Sequence, residues 1–516
     1  MSSYREFLIL RYKAIFRNVG NITIGLSLLI LAISFFALIN DGNKLFFSFF
    51  IPAILTFLTG LFFRIISRGE RKKELSIHDA TVTVFLVWSL AIFLSSLPFI
   101  FANYLNFTQA IFESTSGWTG TGLSMFLDVE ILPKSILLWR SVTQYVGGAG
   151  FAIITVIIAG SVGAGIYQAE GRSDNLVPNL RESAKIILRI YIIWAIIGTI
   201  LLMTIGKLPF FDSFNHTLTA LATGGFSTKN LSIGAYNSLS VEIIIMILMI
   251  MGATGFGIHY AAILMVKNFF RYRKELKKGV LTKLEFKEKI RSEPFLKNPE
   301  PRLMFVILLI FSTLLFLFSL LQMYGIKEGI INSIFQSISS LTGTGFSTVS
   351  FINWNSFGLL ILTLLMIFGG MMDSTSSGLK LYRIYIAFEL VLNQIKSFFK
   401  PSGTTFYLEV YKGISRKKID VDAIKNVIVV FTAYFVTYFV GVFVLLGYGY
   451  SLPNVLFELA STVSNVGLSV GITGPQAPLG VLWTEIIVMY LGRLEFFVII
   501  NSCIKIIRDL REVTTF

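Results

Sequence analysis

Ile111–Ser124 reads IFESTSGWTGTGLS, Phe214–Ser227 reads FNHTLTALATGGFS, Ile334–Ser347 reads IFQSISSLTGTGFS and Leu456–Ser469 reads LFELASTVSNVGLS. Set one above another, the four segments are one pattern. Each begins with a stretch in which apolar residues mix with small Ser, Thr and Ala, and each closes on Gly, then Leu or Phe, then Ser. The shared glycines are Gly122, Gly225, Gly345 and Gly467, about one helix-loop-helix unit apart along the chain, so the sequence carries an internal fourfold repeat. The first part of each copy suits a short helix packed closely against its neighbours. The glycine-rich end does not continue that helix, because glycine there costs about 1 kcal/mol relative to alanine. Each copy therefore reads as a half-helix followed by extended backbone.

The surroundings of these segments say where they lie. The chain has 516 residues, 54% of them hydrophobic and only 14% charged, which excludes an ordinary soluble domain. Long apolar runs fall at 22–39, 45–67, 79–102, 135–160, 184–206, 240–266, 303–324, 355–382, 424–448 and 480–506, which predicts ten membrane spans. Basic clusters at the N-terminus and at 64–73, 172–189, 267–302, 380–425 and 505–511 mark the loops of one side. Alternation makes that side the inside and places both termini in the cytoplasm. The N-terminal basic residues followed by Ile22–Ile39 could be a signal peptide, but a run of that length ending at Asn40-Asp41-Gly42 without a small-residue cleavage site reads as a span. The net charge of +15 lies beside span ends, where the positive-inside rule accounts for it, and nucleic acid is not an expected partner. Cys503 is the single cysteine, and His78, His216 and His259 are scattered, so neither a disulfide nor a metal cluster is expected. No cluster of acids, His or Cys suggests an enzyme. No G-x-x-x-x-G-K-[ST] loop occurs, and no organic cofactor is expected.

Non-helical backbone is tolerated at membrane depth only where protein buries it or where it lines a water-filled path. The four strips Thr119-Gly120-Thr121-Gly122, Ala222-Thr223-Gly224-Gly225, Thr342-Gly343-Thr344-Gly345 and Ser464-Asn465-Val466-Gly467 together imply such a path. Backbone carbonyls on the strips would replace the hydration shell of a cation, and the negative C-terminal ends of the half-helices would favour cations over anions. The fourth strip lacks the second glycine or threonine of the others, so the ring should be only approximately fourfold. Glu113, His216, Gln336 and Glu458 share one column of the half-helices and are expected to hydrogen-bond behind the strips. The span at 355–382 is interrupted by Gly369-Gly370-Met371-Met372-Asp373-Ser374-Thr375-Ser376-Ser377-Gly378, which a lipid-facing helix cannot accommodate. Arg493 and Glu495 lie within the last apolar run, where an ion is costly without water or a partner; an Arg493–Glu495 ion pair is one reading. Arg140, closer to a span end, reads as a snorkelling or packing residue.

Ser114–Gly122, Leu138–Gly150 (LWRSVTQYVGGAG), Ala222–Thr228 (ATGGFST) and Gly492–Glu495 (GRLE) give the chain a strong resemblance to the Trk/Ktr/HKT superfamily of K⁺ transporters, in particular the TrkH-type bacterial membrane subunit. The resemblance covers nearly the whole chain. It implies an all-α polytopic fold with four pseudo-symmetric helix, pore-loop, helix repeats around one pore, preceded by a two-helix hairpin. On that basis the chain divides into a hairpin at 1–77 and repeats at 78–170, 171–280, 281–400 and 401–516. It further implies K⁺ as the transported ion, a gating loop at 369–378, and Arg493 projecting into the pore below the strips toward that loop, with Asp373 as a possible partner. Gly122, where some Na⁺-favouring plant relatives resemble this pattern with Ser, leans toward K⁺. A homodimer in the bacterial inner membrane and a cytosolic nucleotide-binding ring resembling TrkA, docking on 267–302 and 396–425, complete the expectation. Potential-driven, channel-like uptake is the expected activity, and symport of K⁺ with Na⁺ or H⁺ is the alternative.

Overall fold

A computed structural model of the chain describes residues 2–68, 76–150, 176–399 and 409–514. Elements are numbered along these residues. A hairpin of α1 (Ser2–Asn40) and α2 (Asn43–Ile66) leads into α3 (Ile77–Phe101), the short α4 (Phe107–Thr119) and α5 (Lys134–Ala149). Then come α6 (Leu180–Thr204), the short α7 (Phe210–Leu221), α8 (Leu239–Ala253) and α9 (Phe256–Lys277). After the small α10 (Lys283–Arg291) and α11 (Pro294–Lys297) follow α12 (Pro299–Leu315), a five-residue π turn, α13 (Leu321–Thr342), α14 (Ser356–Phe368) and α15 (Leu381–Phe398). A two-stranded antiparallel hairpin, β1 (Glu409–Lys412) and β2 (Ser415–Lys418), precedes α16 (Val421–Gly447), α17 (Leu452–Val463), α18 (Leu479–Arg493) and α19 (Phe497–Thr514).

Local chemistry sets many of these boundaries. Asn106 and Gln109 form a reciprocal capping box at the start of α4, and the Asn355 side chain accepts the Gly358 N–H at the start of α14. Within α13, Gly325 takes φ 73° and ψ −169°, which ends the long ascending helix and starts the short segment that carries Ile334–Thr342.

Among the described residues six helices are long and apolar enough to cross a membrane, or eight when bent pairs count as one span each. The expected span at 135–160 is α5 as far as Ala149; its remainder lies outside the described residues. Two runs expected to be unbroken are not. The run 240–266 turns by 105° between α8 and α9, and the run 480–506 turns by 101° between α18 and α19. Backbone explains both. Thr254 leaves the helix at ψ 131° before Gly255, and Glu495 and Phe496 adopt left-handed φ of 51° and 63°. With α5, α8, α14 and α18 at 16, 15, 13 and 15 residues, all four helices after the repeated segments stop at about 20–24 Å, short of the roughly 30 Å hydrocarbon thickness.

The N-terminal hairpin is a close crossing. A β-carbon on Gly20 would come within 2.7 Å of the Gly60 carbonyl oxygen, and one on Gly60 within 2.7 Å of the Ile24 side chain. The two chain ends meet through charge: Arg11 on α1 pairs with the buried Asp79 on α3 at 2.9 Å, while Lys505 on α19 reaches Asp79 at 3.7 Å and also pairs with Asp509. Tyr12 donates to Asp509 at 3.1 Å. The ends of α1 and α19 therefore lie on one side of the molecule. Gly60→Leu forces the hairpin apart and should lower stability by about 1–3 kcal/mol. The measurement is the melting temperature of detergent-solubilised protein, with the exposed Leu61→Ala as the control that leaves it unchanged.

Candidate functional site

The four repeated segments fold alike. Ala110–Thr119, Asn215–Leu221, Phe335–Thr342 and Phe457–Val463 are buried without interruption, so α4, α7, the end of α13, and α17 lie inside protein rather than in lipid. Beyond each, the chain turns left-handed at the second strip position: Gly120 at φ 71°, Thr223 at 50°, Gly343 at 72° and Asn465 at 53°. The fourth position does so again, with Gly122 at 96°, Gly225 at 74°, Gly345 at 80° and Gly467 at 97°.

Each strip is tied back to its own half-helix by the same bond. The N–H of Thr121 donates to the Ser116 carbonyl at 2.9 Å, Gly224 to Thr219 at 2.9 Å, Thr344 to Ser339 at 3.0 Å and Val466 to Ser461 at 2.8 Å. The Ser116 and Ser461 hydroxyls also accept the N–H of Gly122 and Gly467, at 3.0 and 2.9 Å. Thr119 and Thr121 share a hydroxyl contact at 2.7 Å, and Thr342 and Thr344 one at 2.8 Å. Where the fourth strip departs from the pattern, Asn465 supplies the compensation. It tolerates the left-handed turn, and its amide donates to Thr121 Oγ1 at 3.0 Å and to the Met489 carbonyl at 2.9 Å. Ser464 Oγ is held by the Tyr434 hydroxyl at 2.5 Å.

The strips close on one another in chain order. A β-carbon on Gly122 would overlap the carbonyl oxygen of Gly224, one on Gly225 that of Thr344, one on Gly345 that of Val466, and one on Gly467 that of Thr121. This cycle of four contacts returns to its start, so the strips form a ring in which every glycine faces a neighbour's carbonyl. In each strip the first three residues are buried and the glycine is partly accessible.

Behind the ring stands a polar belt on the column read from the sequence. Glu113 accepts from the Ser124 hydroxyl and the Met125 N–H, His216 Nε2 lies 2.9 Å from Ser227 Oγ, Gln336 donates to Thr348 Oγ1, and Glu458 accepts from Ser469, Val470 and Thr473. Arg140 does not snorkel: it is buried and pairs with Glu113 at 2.7 Å, donates to the Ser227 carbonyl, and lies 4.0 Å over the Phe226 ring. It thereby ties the first half-helix to the backbone just beyond the second strip, a role that its place near a span end did not reveal. Glu485 is a second residue missed in the sequence; buried in α18, it shares Thr473 Oγ1 with Glu458 at 2.8 and 2.5 Å.

Loop 369–380 lies beneath the ring. Thr375 Oγ1 donates to the Leu221 and Gly252 carbonyls at 2.9 and 2.8 Å and is 3.3 Å from Thr223 Oγ1. Gly369 at φ 72° and Gly378 at φ 81° fold the loop back on itself, and the Gly370 N–H is held by Ser376 Oγ at 3.0 Å. Ser374 Oγ donates to the Met371 carbonyl, and Ser376 Oγ to the carbonyl of Ser377. The loop is anchored from below by the buried Glu300, which accepts the Met372 N–H at 2.7 Å. Asp373 faces Lys412 of β1 at 3.6 Å, a hairpin that the sequence reading did not foresee. Arg493 donates to the Thr375 carbonyl at 2.9 Å and to the Gly147 carbonyl at 2.6 Å, and sits 5.7 Å over the Trp88 ring. Glu495 pairs with Arg383 at 2.6 Å, so the Arg493–Glu495 reading is replaced by two separate contacts. What remains open between Arg493, Lys380 and the loop is a cavity of about 50 Å³, room for a few waters and no more.

Truncating Arg140 would leave Glu113 buried without its cation. Arg140→Met should cost about 3–5 kcal/mol, and the double variant Arg140→Met/Glu113→Gln should regain a large part of it; thermal unfolding of the purified protein measures both.

Comparison with known proteins identifies the family and the overall fold. The family model TrkH, described as a cation transport protein, matches residues 46–508. An uncharacterized cation transporter of Methanocaldococcus jannaschii is 29% identical over 458 residues, covering 88% of this chain and 87% of its own. The Trk system potassium uptake protein TrkH of Vibrio parahaemolyticus is 28% identical over 513 residues, covering 95% and 98%. The crystal structure of the potassium transporter TrkH from Vibrio parahaemolyticus matches with a TM-score of 0.78 at 25% identity, over 95% of this chain and 98% of that one. The chain belongs to the TrkH family of cation transport proteins, a family of multi-pass membrane transporters and not of enzymes.

Proposed function

We propose that the chain takes up K⁺ across the bacterial inner membrane through a gated, channel-like pore. The four strips act as its selectivity filter: Thr119–Gly122, Ala222–Gly225, Thr342–Gly345 and Ser464–Gly467. The observation that carries this reading is the closed cycle of glycine-to-carbonyl contacts, which sets the four buried strips side by side in a ring. Their carbonyl oxygens can replace the hydration shell of a cation, and no side chain fits at the four glycines. The potassium in the names of the relatives supplies the ion. Loop 369–380 is the gate in this reading. It lies directly under the strips, and its Gly, Ser and Thr content permits a second conformation. Arg493, bound to the Thr375 carbonyl, adds a positive charge to the barrier while the loop is in place.

The same reading divides the chain into the hairpin 1–77 and repeats 78–170, 171–280, 281–400 and 401–516, with both termini cytoplasmic. It gives the chain a homodimeric assembly and a TrkA-like nucleotide-binding ring as cytosolic partner. Lys412, on a strand of the 409–418 hairpin, touches the loop through Asp373 and offers a route from such a partner to the gate. One observation favours the alternative of H⁺-coupled symport: the buried carboxylates Glu458 and Glu485 share one hydroxyl close behind the fourth strip, an arrangement suited to holding a proton.

The test is rubidium and K⁺ flux into proteoliposomes under an imposed potential, with and without Na⁺ and pH gradients. Flux that needs the potential alone is expected. Gly345→Ala, whose methyl meets the Val466 carbonyl, should reduce it at least about tenfold, and Arg493→Ala should raise it by a similar factor, about 1.4 kcal/mol of barrier in each case. Flux strictly dependent on Na⁺ or on a proton gradient would replace the channel with the symporter.

A further inference from the structure

On the cytoplasmic side of the break between α8 and α9 lies a cavity of about 460 Å³ that the transport reading does not use. Its wall is almost wholly apolar. Trp194 of α6, Ile258 and Ala262 of α9, Phe295 of α11, and Met304 of α12 surround it, and Met371 of loop 369–380 closes its inner end. The 105° bend borders the space.

The outer face of the cavity shows what fills it. Ile263 and Phe305, which line it, are exposed, as are Ile193 and Ile197 on α6 and Leu309 on α12. Of these, the faces on α6 and α12 belong to helices long and apolar enough to span, so the medium along that side of the mouth is the hydrocarbon of the bilayer. The polar side chains in its lining are Thr254 and His259, each with a backbone partner: Thr254 Oγ1 donates to the Ile250 carbonyl, and His259 Nε2 lies 2.9 Å from the Met251 carbonyl. The cytoplasmic rim is basic. Lys267 is exposed one helical turn beyond Ile263, and the exposed Arg302 follows the lining residue Pro301, its guanidinium donating to the Leu296 carbonyl beside Phe295.

We propose that this cavity is a binding site for a single anionic phospholipid, one acyl chain inserted between α6, α9 and α12 and its phosphate held at Lys267 and Arg302. An apolar volume of this size accommodates a large part of an acyl chain, and removing each CH₂ from bulk lipid is neutral, so the headgroup charge confers the selectivity. The inserted chain ends against Met371. Met371 and its neighbour Asp373 are bonded to the α8 break, the Met371 N–H donating to the Ala253 carbonyl at 2.9 Å and the Phe256 N–H to the Asp373 carbonyl at 3.3 Å. Lipid occupancy therefore bears on the position of loop 369–380, a consequence that rests on the reading of that loop as the gate.

Trp194 in the wall reports the site. The full-length protein is reconstituted in nanodiscs with phospholipids brominated in mid-chain, and the quenching due to Trp194 is taken as the difference from Trp194→Phe. Anionic brominated lipid, diluted into unbrominated zwitterionic lipid, should quench Trp194 saturably at a low mole fraction. Zwitterionic brominated lipid should need at least about a tenfold higher fraction, 1.4 kcal/mol in affinity. Lys267→Gln/Arg302→Gln should erase that difference, and Ala262→Phe, which fills the cavity, should remove the saturable component. Quenching of the wild type that rises only in proportion to the bulk bromine content, equally for both lipids, would overturn the site without reliance on any variant. Flux in the same two lipids tests the link to the gate separately. Saturable quenching with unchanged flux would keep the site and reject its coupling to loop 369–380.

Discussion

Everything in this structure depends on how irregular backbone is made tolerable inside a membrane. Each of the four strips carries peptide groups that hydrocarbon cannot solvate, at several kcal/mol for each group left unpaired. The recurring answer is a short helix buried on all sides, a left-handed turn, and an N–H returned to a carbonyl five residues back, from Thr121 to Ser116 and likewise in the other three copies. The half-helices cannot stand alone in lipid, so the longer helices must surround them. The helices that follow each strip are shorter than the hydrocarbon thickness, and loop 369–380 and Arg493 lie beneath the ring. The short helices and the ring of strips are consequences of the same constraint.

The ring is approximately fourfold in backbone and unequal in side chains, and the inequality is structural rather than accidental. Two strips use glycine for the first left-handed turn, whereas Thr223 and Asn465 adopt it at some cost in strain. Asn465 converts that cost into two hydrogen bonds that tie the fourth strip to the first and to α18. Arg140 does the corresponding work between the first and second copies, joining Glu113 of the first half-helix to the Ser227 carbonyl beyond the second strip. The links between neighbouring strips are therefore made by different residues in different copies, while the carbonyl-facing glycines remain the same.

The repeated strips and the interruption at 369–378 were legible in the sequence, because glycine and small polar residues stand out inside apolar runs. The belt of Glu113, His216, Gln336 and Glu458 was legible from column alignment alone. The turns at Thr254-Gly255 and Leu494–Phe496 fall beside marks of the same kind, Gly252-Ala253-Thr254-Gly255 and Gly492-Arg493-Leu494-Glu495, but each run is long and apolar enough to read as one span. Other features were legible only in the fold. Glu485 is a single acid in α18, and Thr473, which joins it to Glu458, lies in the separate loop between α17 and α18. Arg140 and Glu113 are 27 residues apart on neighbouring helices, so their pairing exists only once the helices pack. The 409–418 hairpin is too short and too charged to read as strand, and its position is set by the contact of Lys412 with Asp373.

The central claim is that the four strips together hold a dehydrated cation, and the most direct measurement is anomalous scattering from crystals grown in thallium or rubidium. The account predicts an anomalous peak on the axis of the ring, level with the strips and within direct coordination distance of carbonyl oxygens from all four, and no such peak in Gly345→Ala crystals. A wild-type map with no anomalous density inside the ring, or with its only peak outside the strips, would contradict it.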